Sequence, residues 1–342
     1  MQALPSPDAL CRAARQAGYS ALALTDCNSL YGLWPFLSAC EEHGMTPIIG
    51  AEAHTRTQRL FCLVKDRTGY RNLCRLLTAR HCDPDFDLAD ALNTCHQGLI
   101  LLAADQGLLR HCREIGADAA AALTGGVDQR NSDLRRTARG LDLPAVAVQD
   151  SFFLAPEDFP AYRLLRAIDN NCSLCRLPAS ETVTAAAAPP SAAAWADRFQ
   201  LWPECVLAAR QIAERCAFRT PYAGLVMPPW KQGDPDRELR RAAFAGARIR
   251  YGAELPAAVV SRLEHELAVI AAMNFSSYFL VVRDIVGPVA RTCGRGSGAA
   301  SLAAYCLHIT NVCPIRHNLY FEQTLVMRSE EHTSELQSHL NL

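Results

Sequence analysis

The hydrophobic pattern of the first 150 residues switches between a helical period and short, unbroken apolar runs. Pro7 to Ala17 predicts a helix, with Leu10, Cys11 and Ala14 on one face and Gly18 as its stop. Ala21 to Thr25 predicts a buried strand ending in Asp26. Trp34 to His43 is the next predicted helix, Pro47 to Ala51 a strand ending in Glu52, and Leu60 to Lys65 another strand. A helix over Tyr70 to Arg80 and strands over Gly98 to Ala104 and Pro144 to Gln149 follow, the last ending in Asp150. Strands alternating with helices imply an α/β fold with a parallel sheet, open or closed into a βα barrel.

Asp26, Glu52 and Asp150 share one property: each ends a predicted strand. In βα barrels the C-terminal strand ends surround a common mouth where ligands gather, and carboxylates collected there suit a divalent metal. Each carboxylate is equally suited to capping the helix that follows. Spacing alone leaves both readings open.

Beyond residue 180 the pattern changes. The Ala/Pro-rich stretch 185–195 reads as a surface loop, and Pro203 to Cys216 as a helix. Met227-Pro228-Pro229-Trp230 and Gln232-Gly233-Asp234-Pro235 mark a break, which places a domain boundary between 1–227 and 228–327. Asp236 to Arg250 and Pro256 to Met273 predict long amphipathic helices, the second with Val260, Leu263, Leu267 and Ile270 on one face. Leu267 to Val282 is the longest uncharged apolar run; it is too short to span a bilayer and predicts a core segment, so no membrane association is expected.

Cys293-Gly294-Arg295-Gly296-Ser297-Gly298 leads into a helical pattern from Leu302 to Leu307. Glycines there let backbone N–H groups converge, Arg295 and Ser297 add donors, and a following helix would add its positive end. This suits a triphosphate. A tight turn explains the same glycines, and the pattern is neither a Walker loop nor a dinucleotide fingerprint.

Composition adds little about chemistry. The formal net charge of the 342 residues is −1, divided as −2 over 1–227 and +3 over 228–327, so any phosphate-binding surface is expected in the later part. The fifteen cysteines are scattered through apolar stretches and read as buried thiols of a cytoplasmic protein. Cys172 and Cys175 have zinc-like spacing but no second pair to complete a site.

Taken in order, several segments resemble one family. Gly294-Arg295-Gly296-Ser297-Gly298, Ser301-Leu302, Ala304-Tyr305 and Ile309-Thr310 are similar to the palm signature of bacterial C-family DNA polymerases, the DNA polymerase III alpha and error-prone polymerases. Met273-Asn274-Phe275, Tyr278 to Val282 and Leu319-Tyr320-Phe321-Glu322 match the segments before and after it. Ala21 to Asp26, Asn28 to Gly32, Pro47 to Glu52 and Gly69 to Leu73 are similar to the N-terminal PHP (polymerase and histidinol phosphatase) domain of that family. The resemblance runs over about residues 5–325. It implies a PHP-like βα barrel followed by a partial α+β polymerase palm. It assigns triphosphate contacts to Gly294, Arg295, Gly296 and Ser297, and a PHP metal site to Asp26, Glu52 and Asp150. Mg²⁺ is the implied cofactor of the complete polymerase; primer-template DNA, deoxynucleoside triphosphates and replisome subunits are the implied partners.

The sequence also departs from the family pattern. No Pro-Asp-x-Asp-x-Asp stretch, the family's source of catalytic carboxylates, follows Phe321-Glu322, so the chain as given is expected to be inactive in polymerisation. Residues 328–342 resemble one reading frame of a sequencing adapter and are expected to be foreign to the fold. A His-x-His strand expected at the start of a PHP domain is absent, Cys27 stands where many members have His, and Phe152 stands where an Asp-x-His pair would end. The PHP site is therefore expected to be degenerate. The rival readings are a stand-alone PHP metal-dependent phosphoesterase and a non-catalytic replisome scaffold.

Overall fold

A computed structural model describes the whole chain except residues 1–2, 56–57, 184–189, 222–225, 290–291, 295–296 and 322–342, and omits the side chains of Ser180 and Ser297. The chain divides into two compact units, Met1–Tyr222 and Ala223–Leu342.

The first unit alternates helices and strands as far as residue 148: α1 (Pro7–Gln16), β1 (Ala21–Cys27), α2 (Leu33–Glu42), β2 (Thr46–His54), β3 (Arg59–Val64), α3 (Arg67–Cys82), α4 (Leu88–Cys95), β4 (Leu99–Ala103), α5 (Gln106–Glu114), β5 (Ala119–Thr124), α6 (Gln129–Gly140) and β6 (Ala145–Val148). Helices α7 (Phe159–Asp169), α8 (Ala192–Arg198) and α9 (Pro203–Arg215) complete it. The stretch read as a loop over 185–195 therefore runs into α8, because Ser191 caps that helix and Trp195 is buried against Phe199.

The six strands form one open sheet in sequence order. It is mixed rather than parallel. β1–β2, β4–β5 and β5–β6 pair parallel, but β3 runs antiparallel to both β2 and β4. The cause is the short connection between β2 and β3, which permits a hairpin and not a crossover. That reversal brings the start of β3, at Arg59, beside the end of β2, at His54.

One sheet face carries Ile49, Ala51, Leu60, Cys62, Leu101, Ala121 and Leu123 into the main core against the helices. The other carries Ile48, Phe61, Leu63, Ile100, Leu102 and Val146 beneath Ala208 and Ile212 of α9 and Cys216 just after it. β1 is an edge strand, and all seven of its residues are half-buried. Helix starts are set by side chains: Ser6, Asp66, Asp87, Asp105 and Asp128 accept backbone N–H groups at the starts of α1, α3, α4, α5 and α6. Gly69 and Gly98 meet backbone to backbone: a Cβ on Gly69 would lie 1.9 Å from the Gly98 carbonyl oxygen.

The second unit contains α10 (Pro235–Tyr251), α11 (Ala257–Ala272), α12 (Ser276–Val286), a 3₁₀ turn (Ser297–Ala300) and α13 (Leu302–Cys306). Of the α+β palm expected here, the described residues supply the helical part and no strand. The run Leu267 to Val282 is split between α11 and α12, which bend by 111° around Asn274 in the left-handed region at φ 59°. Among the described residues no single helix is long and apolar enough to cross a membrane. Leu239, Ala243, Ala247, Val259, Leu263, Leu267, Ile270, Leu280, Leu302 and Cys306 form the core. Gly246 lets α10 touch α13, since a Cβ there would sit 1.8 Å from the Cys306 carbonyl oxygen.

Candidate functional site

In the first unit, the strand ends bring Glu52 and Asp150 together, but on an arginine. Arg59 donates to Glu52 Oε2 at 2.8 Å and to both Asp150 oxygens at 2.7 and 2.9 Å. Its guanidinium lies 4.6 Å from the centre of the Phe61 ring, two residues along the same strand face. Burial works against the charge on Arg59, yet the hydrogen bonds and fields of Glu52 and Asp150 outweigh it and raise its pKa above the ordinary guanidinium value. Asp26 turns elsewhere: its Oδ2 accepts the Gly32 N–H at 2.8 Å, just ahead of α2. None of the three caps a helix through an N-cap bond, whereas Asp66 and Asp105, also just past strands, do.

Two further side chains share this mouth. Cys27 Sγ lies 3.8 Å from His54 Nδ1, and with Glu52 they form a group whose ligand atoms all fall within 4.8 Å of one another. The alternation of β2 puts His54 on the Glu52 face. His54 is held by its backbone, which exchanges hydrogen bonds with Asn28 at 2.8 and 3.0 Å. Asn28 sits in the left-handed region at φ 51°, as asparagine tolerates. Sequence reading missed Arg59 and His54. The period-2 relation of His54 to Glu52 was a usable signal; the meeting of Arg59 with Asp150, 91 positions away, was not.

A divalent metal of the PHP type does not fit this donor set. Three oxygens of Glu52 and Asp150 already receive N–H bonds from a permanent cation. A divalent ion placed about 5 Å from that guanidinium would meet repulsion on the order of 6 kcal/mol at an effective dielectric near 20. Cys172 and Cys175 belong to no cluster of three ligands among the described residues.

In the second unit, the candidate triphosphate loop spans the limit of description. Arg295 and Gly296 lie outside the described residues, as does the Ser297 side chain. Gly294 is placed: it packs on Thr310, whose Cγ2 would lie 2.5 Å from an added Cβ. The helix expected to aim its positive end at a phosphate is only five residues long, and its first amides are taken. Ser301 Oγ accepts the Ala304 N–H at 3.1 Å, and Glu266 Oε2 accepts the Ala303 N–H at 3.1 Å and the Ser301 hydroxyl at 2.9 Å.

Glu266 is fully buried in the apolar stripe of α11 and pairs with Arg262 at 2.6 Å. Arg262 reaches on to the Leu319 carbonyl at 3.1 Å and lies 5.7 Å from the Phe321 ring centre. Arg250 donates to the carbonyls of Tyr305 and Thr310 at 3.3 and 3.2 Å and to Asn311 Oδ1 at 3.1 Å. Asn311 in turn donates to the Thr292 carbonyl at 3.2 Å, joining the two sides of the glycine-rich segment. Burial, with the Glu266 carboxylate behind it, pushes the Cys306 thiol up to about 12. These anchors hold the segments on either side of the loop from α10 and α11.

Residues 1–139 match the PHP domain family, and residues 237–332 match the bacterial DNA polymerase III alpha NTPase domain. The two matches follow one another along the chain, the PHP domain first and the DNA polymerase III alpha NTPase domain second. It is similar to the DNA polymerase III subunit alpha of Halalkalibacterium halodurans, with 30% identity over 93% of this chain and 31% of that protein. The error-prone DNA polymerase of Mycobacterium bovis is 33% identical over 94% of this chain and 34% of its own length. The DNA polymerase III subunit alpha of Bacillus subtilis is 29% identical over 91% and 31%. The chain thus spans about a third of the length of the curated relatives it matches.

Proposed function

We propose that this chain supplies the PHP domain and the opening part of the nucleotidyl-transfer domain of a template-directed DNA polymerase, replicative or error-prone. The observation that carries this reading is the collinear similarity to such polymerases over more than nine-tenths of the chain, through both units. In this reading Gly294, Arg295, Gly296 and Ser297 contact the triphosphate of an incoming deoxynucleotide. Glu266, Arg262 and Arg250 are positioning residues that hold the flanks of that loop. The excess of positive charge over residues 228–327 suits a phosphate-bearing partner. Protein of this kind would work in the cytoplasm, on primer-template DNA and beside replisome subunits.

Phosphoryl transfer by two Mg²⁺ ions needs carboxylates beside the triphosphate, and no Pro-Asp-x-Asp-x-Asp stretch follows Phe321-Glu322. The chain alone is therefore expected to extend no primer. The test is extension of a labelled primer on a template with all four deoxynucleotides and Mg²⁺. Template-dependent incorporation above a mock preparation would overturn the expected inactivity of the chain alone. A read of the native locus past the Glu322 codon should encode the acidic stretch; its absence there would count against the polymerase reading itself. For the rival phosphoesterase reading, the Arg59 bridge argues against a metal-activated water at the PHP mouth.

A further inference from the structure

Glu52 and Asp150, the acids to which the family resemblance assigns a PHP metal, are bridged by a cation belonging to the chain. We propose that the Arg59 guanidinium replaces the divalent ion in this domain, joining β2, β3 and the segment after β6, so that the mouth takes no metal while Arg59 is present. This rests on the first unit alone and is independent of what the second unit binds.

Three features support it. The first is topological: because β3 runs antiparallel to β2, its first residue lies beside the end of β2, from where its side chain reaches Asp150 just past β6. The second is geometric. Arg59 meets Asp150 with two N–H groups and Glu52 with a third, the forked arrangement that guanidinium makes and ammonium does not. The third is environment. The Glu52 side chain is 7% exposed and that of Asp150 22%, so their charges need a fixed partner, and Phe61 lies against the guanidinium. Cys27 and His54 are the nearest metal-ligating alternatives, but the carboxylate they would share is Glu52.

The experiment uses the purified full chain, its Arg59→Met variant and the triple variant R59M/E52Q/D150N. Each is exposed to Mn²⁺ or Zn²⁺, desalted, assayed for bound metal, and melted with and without the ion. The wild-type chain should retain under about a tenth of an equivalent, and its Tm should not respond to either ion. R59M should melt lower by about 5 °C or more and should regain part of that loss with Mn²⁺ or Zn²⁺, as the freed carboxylates accept an ion. The triple variant should recover stability relative to R59M and lose the response to metal. Near-stoichiometric metal in the wild-type chain, held by Cys27, Glu52 and His54, would overturn the proposal. So would an R59M chain that melts like wild type. If R59M does not fold, folding of the triple variant supports the proposal, and failure of both counts against it.

Discussion

Replacing Glu266 by alanine removes the acceptor of two buried donors and the partner of Arg262 in one step. The Ser301 hydroxyl, 2.9 Å away, and the Ala303 N–H, 3.1 Å away, would be left in a fully buried place. Each stranded donor costs about 1–3 kcal/mol. Breaking a buried ion pair by removing one partner costs about 3–5 kcal/mol, but the Arg262 side chain is 23% exposed and partly recovers water, so the lower part of that range applies. A total near 4 kcal/mol is expected once overlap between these effects is allowed for. In a unit of this size that is on the order of 15 °C in Tm. Glu266→Gln keeps the shape and one acceptor and should lose roughly half as much. The assay is calorimetry of the full chain, with hydrogen exchange of peptides over 259–270 and 301–307 to assign the loss to the second unit. The double variant R262M/E266L should be more stable than E266L alone, because no unpaired charge remains. A loss under about 1 kcal/mol for E266A, or a double variant no better than the single, would refute this account of how the loop's flanks are held.

Gly246→Ala should destabilise the second unit by about 2 kcal/mol in denaturant unfolding: the gain of about 1 kcal/mol in helix propensity is outweighed by the contact with the Cys306 carbonyl. Burial pushes the Asp118 carboxyl up, but Arg215 and Lys65, the latter at 2.7 Å, more than reverse this and hold it below the usual carboxylate range. Its contribution is therefore present above about pH 4 and lost as pH falls through the lower folded value, so Asp118→Asn should flatten the acid limb of a stability–pH curve; an unchanged limb would show that Asp118 does not contribute there.

Local rules in the sequence reached far in this protein. The helices over residues 7–16, 203–215, 235–251 and 257–272 follow from apolar spacing and from stop and start residues, and most strands from their apolar runs. The motif residues have local reasons too: Gly69 permits the close approach to Gly98, and Asn28 supplies the left-handed turn that holds His54. β5 escaped because Ala119 to Ala122 has no strand preference of its own; it is a strand because Leu101–Ala103 and Ala145–Val148 flank it. α6 escaped because its sequence is polar almost throughout, with Asn131 and Leu134 buried.

The candidate sites divide in the same way. The glycine-rich segment, the strand-end acids and the likeness to bacterial polymerases were all legible along the chain, since each depends on neighbouring residues. What those acids do was not. Whether a carboxylate at a strand end caps a helix, binds a metal or meets an arginine depends on which distant residue arrives beside it. Here the reversal of β3 delivers Arg59 to Glu52 and Asp150, and α11 delivers Glu266 to Ser301. Sequence determines which side chains are available and which short segments they shape; partners far apart in the chain are chosen only when the sheet and the helices pack.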